Sequence, residues 1–78
     1  MDYIKQMRDE LEDVREYFRA AGAESDFKMR VGLKAIAHEE FTHARYLRSQ
    51  MIRMGIYDPS AHTADEDLYN ATARMFED

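Results

Sequence analysis

No cysteine occurs in the chain, so neither a disulfide nor a thiolate metal site can staple it. Proline appears once and glycine three times, which, beside abundant Glu, Arg, Met, Ala and Leu, favours an all-helical class. Basic charge is also in short supply. The net charge of -5 argues against nucleic acid and against an anionic membrane surface as partners. No apolar run approaches the roughly 18 residues that a membrane-spanning helix needs. The opening Met1-Asp2-Tyr3-Ile4-Lys5 has no signal-peptide core. These absences make a soluble, cytoplasmic chain the expectation.

The 78 residues allow a single domain, 1–78. A chain this short buries little of its own surface and usually needs reinforcement. With thiols excluded, what remains is a cation held by histidine and carboxylates, or further subunits.

Three helices are predicted. The first runs from Asp2, a plausible N-cap, to about Ala21. Gly22 to Ser25 forms the break, with Gly22 suited to a left-handed cap and Ser25 or Asp26 suited to open the next helix. So short a loop makes the two helices an antiparallel hairpin. The second helix spans Phe27 to about Met54; Gly55 ends it and Asp58-Pro59 prevents its continuation. Gly32 inside it costs about 1 kcal/mol relative to Ala, and close approach of another helix is one reason to keep it. Thr63-Ala64-Asp65-Glu66 has capping-box spacing, which predicts a short third helix over Ala64 to about Phe76, with the acidic end Phe76-Glu77-Asp78 fraying.

On the second helix, steps of three and four give Met29, Leu33, Ile36, Glu40, His43, Leu47, Met51 and Met54. This is an apolar stripe with a carboxylate and an imidazole set into it. Glu40 and His43 form a Glu-x-x-His step, and residues three apart share a helix face, so both can reach one ion. A bare carboxylate in such a stripe would cost several kcal/mol or take up a proton. On the first helix the same steps from Tyr3 reach Met7, Glu10, Val14, Tyr17 and Ala21, so Glu10 interrupts a second stripe. Asp9, Glu12, Asp13 and Glu16 flank it, a group that alone reads as a solvated helix face.

A hairpin with one wide apolar side would leave that side wet. Two hairpins face to face make a four-helix bundle whose core holds two copies each of Glu10, Glu40 and His43. That is the donor set of the di-iron carboxylate bundles. Carboxylate oxygen with imidazole nitrogen suits iron or manganese, with zinc competing. The segment is not a zincin motif. His38 and His43 are five apart, roughly 140° around a helix, and cannot easily share a metal. His38 is assigned to the helix flank and His62 to a loop.

The run Asp9-Glu10-Leu11-Glu12, then Tyr17, Glu39-Glu40-x-x-His43-Ala44 and Asp58-Pro59, resembles the encapsulated ferritins over about Met7 to Pro59. The match includes the separation of Glu10 from Glu40. The resemblance implies a ferroxidase centre across a dimer interface, with dimers assembled into a ring. Glu10, Glu40 and His43 would ligate the di-iron pair, Tyr17 would stand beside it as a hydrogen-bond partner, and Asp9 and Glu12 would form a metal uptake site nearby. Two departures stand out. Glu16 occupies the place of a Trp, and Phe76-Glu77-Asp78 has no likeness to the tail that directs the family into an encapsulin shell.

The expected function is therefore oxidation of Fe(II) to Fe(III) at an inter-subunit site, in iron storage or detoxification. The alternative is a non-catalytic oligomerising helical module in which Glu10, Glu40 and His43 satisfy one another by hydrogen bonds.

Overall fold

A computed structural model describes residues 1–77; Asp78, part of the acidic end predicted to fray, lies outside them. Among the described residues all regular structure is helical: α1 is Tyr3–Ala23, α2 is Phe27–Arg53 and α3 is Thr63–Arg74. No described helix is long and apolar enough to cross a membrane.

Both long helices start where a carboxylate can receive free backbone N–H groups. Asp2 accepts from the Lys5 amide at 3.0 Å, and Asp26 accepts from the Met29 amide at 2.8 Å. Gly22 does not cap α1, contrary to expectation. It lies within the helix, which runs on to Ala23 and stops at Glu24 in extended backbone. The left-handed conformation is found at Gly55, φ 74°. There the Gly55 amide bonds to the Ile52 carbonyl and the Ile56 amide to the Met51 carbonyl. This is the paired bonding of a Schellman end, and it turns the chain off α2.

α1 and α2 form the expected antiparallel hairpin. Its buried seam takes Met7, Leu11, Val14 and Ala21 from α1 and Ala37, Ala44 and Met51 from α2. The seven-residue steps 7, 14, 21 and 37, 44, 51 mark helices packed nearly parallel along their lengths. The α2 seam lies one row away from the stripe read in the sequence. Met51 belongs to both, but Met29 and Met54 are each 54% exposed. Gly32 is not a point of close approach within the chain, since an added Cβ would meet nothing within 4 Å.

α3 folds back over its own hairpin. Phe41 stacks on Tyr69 at 5.4 Å between ring centres, and Phe76 meets Phe18 and Phe41 at 5.0 Å each. Arg8 pairs with Asp65, Arg48 with Glu66, and Tyr57 donates to Glu66 at 2.9 Å. These bonds explain why the capping box is not made. Glu66 is committed to Arg48 and Tyr57 instead of its own helix start, and Thr63 lies inside α3 behind an N-cap at His62 with no side-chain bond.

The hairpin thus has two unlike flanks. One is sealed by α3. The other carries Ile36, Glu40, His43 and Leu47 from α2 and Gln6 and Glu10 from α1, with no third helix over it.

Candidate metal centre

Glu10 sits midway along α1, one row off the seam, with Leu11 buried beside it. Its carboxylate passes between the helices to α2, where Glu40 and His43 rise from consecutive turns. Glu10, Glu40 and His43 each bring a donor atom within 4.8 Å of the other two. Donors around a cation at about 2.1 Å lie within about 4.2 Å of one another. Adjustments of a few tenths of an ångström would therefore close the three on one ion. Of the site residues predicted from the sequence, these are the three that the fold draws together.

The cluster is electrically unsettled. His43 Nδ1 lies 3.3 Å from Glu10 Oε2, too poorly aligned for a hydrogen bond, so that oxygen is buried with no partner. The other oxygen, Oε1, accepts from Gln6 Nε2 at 3.1 Å. Burial pushes the Glu40 carboxyl above the usual carboxylate range. The neighbouring Glu10 carboxyl pushes it further, as does the charge of Asp13, while His43 opposes them. Two carboxylates this close cannot both hold their charge cheaply. A divalent cation held between them would relieve that repulsion.

The surroundings are half open. The His43 side chain is 59% exposed and that of Glu10 12%. Glu10 and His43 line a hollow of about 480 Å³ whose walls include Gln6, Thr42, Tyr46 and Leu47. Tyr46 and Leu47 also line a second hollow with Tyr3, Gln50, Met51 and Met54. Tyr46 is 64% exposed, so an apolar, aromatic surface continues from the cluster along the flank.

The remaining predicted residues stand apart. Asp9 is paired with Lys5 at 2.9 Å. Glu12 lines a groove with Arg15, Glu16, Arg19 and Leu68 on the α3 side. Helix geometry is the reason: positions one before and two after Glu10 point about 100° and 200° away from it. Tyr17 is half-buried two turns along α1 and outside the three-residue group. Asp13 is the acidic neighbour whose charge is felt at Glu40. His38 packs edge-on to Phe76 at 5.7 Å, and His62 stacks on Tyr57 at 4.9 Å, both as expected away from the cluster. Reading the sequence missed Gln6; an amide one helical turn before a candidate ligand is the signal that could have found it.

The donor set of two carboxylates and an imidazole fits iron or manganese, and zinc as a competitor. Comparison with protein-family models, with curated proteins and with solved structures gives no match.

Proposed function

We propose that the chain is a ferroxidase that binds Fe(II) through Glu10, Glu40 and His43 and oxidises it to Fe(III). The observation that carries this reading is the buried, unpartnered oxygen of Glu10 within reach of Glu40 and His43. A carboxylate pair that repels itself gains when a cation sits between its members.

Three side chains leave the coordination of a pair of ions half built. A second copy applied to the open flank supplies the other half and covers the exposed Tyr46, Ile36 and Met29. The product is a four-helix, ferritin-like bundle with four carboxylates and two imidazoles in its core. There the iron is substrate. Two Fe(II) give one electron each to dioxygen, which takes up two protons and leaves as hydrogen peroxide beside two Fe(III). Binding needs ionised carboxylates and a neutral imidazole, so uptake weakens in acid. The resemblance to encapsulated ferritins extends the proposal to a ring of dimers that passes Fe(III) to an encapsulin shell.

The test is aerobic addition of Fe(II) to metal-free protein, following Fe(III) absorbance and molecular mass together. Oxidation should outrun that of Fe(II) in buffer and coincide with a dimer or larger species. A rate equal to that in buffer overturns the reading.

The non-catalytic module remains the second reading because the exposed apolar flank calls for a partner whether or not metal binds. Metal content separates the two: iron-free dimers recovered from iron-rich medium favour the module.

A further inference from the structure

Gln6 lies one helical turn before Glu10, on the wall of the same hollow. Its amide donates to Glu10 Oε1 at 3.1 Å, while Oε2 of the same carboxylate is buried, bonded to nothing and 3.3 Å from His43 Nδ1. The two oxygens of one carboxylate thus have different duties. One is anchored within α1; the other is turned toward α2. Without the amide, the long Glu side chain could rotate on its own axis and offer either oxygen to solvent.

We infer that Gln6 is a positioning residue that holds Glu10 so that Oε2 alone is presented to the cation. The assignment rests on the metal-binding reading above. The Gln6 side chain hydrogen-bonds to Glu10, and it acts through that residue. With Oε1 engaged, Glu10 binds through a single oxygen and does not close a four-membered chelate around one ion. An anchored single oxygen also leaves open coordination positions for water or dioxygen. Partners of this outer kind typically change metal affinity by about 10- to 100-fold.

The experiment uses full-length protein and Co(II), whose visible absorption reports coordination number and geometry without any turnover. Q6M keeps the length of Gln, Q6L is one atom shorter, and both keep its helix preference and remove the donor. Circular dichroism and mass of the metal-free variants show that each is folded. Wild-type protein should bind Co(II) with a defined visible spectrum. Both variants should bind about 10- to 100-fold more weakly, with altered band positions as Glu10 becomes free to chelate. Variants that match wild type in affinity and spectrum overturn the role of Gln6 and leave the metal site standing. Wild-type protein that takes up no Co(II) overturns the metal site and the role of Gln6 with it.

Discussion

Two polar clusters lie on opposite flanks of one hairpin, and they are built on opposite principles. On the α3 side, Arg48 grips Glu66, Tyr57 donates to the same carboxylate, and Arg8 holds Asp65. Charges alternate in sign, and Arg48 also lies over the Tyr69 ring at 4.7 Å. On the open side, Glu10 and Glu40 come together with one imidazole, that of His43. The first cluster is complete within the chain and pins a helix. The second contains no lysine or arginine. Partly buried ionic groups stabilise a fold only when their partners are present. A cluster that leaves one partner out contributes little to holding the fold, and the cation proposed for it would supply the missing charge.

The largest expected effect breaks the open cluster. Glu40→Ala or His43→Ala should abolish tight iron binding and weaken the dimer, read by calorimetry and mass; an unchanged oxidation rate in either would remove the cluster from the chemistry. Next, Glu66→Ala should strip Arg48 and Tyr57 of their acceptor and cost about 2–3 kcal/mol. Urea unfolding would measure it, with iron oxidation kept as long as the hairpin stays folded. A loss of iron oxidation at matched stability would erase the distinction between the flanks.

The two clusters should also respond to pH with opposite sign. The folded Glu66 carboxyl is held below its ordinary range, first by the Arg48 hydrogen bond and then by Tyr57, against the effect of burial. The stability it contributes is present above the unfolded-state carboxylate range and is lost as pH falls through its depressed folded value. Glu66→Gln should therefore destabilise at neutral pH and progressively less in acid. Glu40 is shifted the other way, so the metal-free fold is penalised as pH rises through the carboxylate range. Glu40→Gln should raise the metal-free melting temperature at neutral pH and lose that advantage in acid. This last effect is the smallest, because Glu40 is only partly buried.

Much of this was readable before any coordinates. Asp2 and Asp26 announce their helices because a carboxylate at an N-cap has a specific local task. The Glu-x-x-His step is legible for the same reason: adjacency on a helix follows from spacing alone. Less legible is which of two neighbouring rows on α2 lies against α1. Ala37 and Ala44 form a seam because they are small, and small residues leave only a faint hydrophobic signature. The Thr63 capping box failed because Arg48, distant in sequence, outbid the helix for Glu66. Gly22 stayed helical because Glu24, two residues on, turns the chain in extended backbone. Asp9 and Glu12 were assigned by resemblance to an uptake site near the cluster, and rotation around the helix axis keeps them out of the three-residue group itself.

The placement of α3 also limits how copies can be joined. It roofs one long edge of the hairpin and leaves the other open. A brick with mortar on one side pairs with its twin about a two-fold axis and then stops, whereas mortar on both sides would run on into a fibre. On the proposed pairing, any larger ring would have to be stitched through some contact other than the face that joins the two copies.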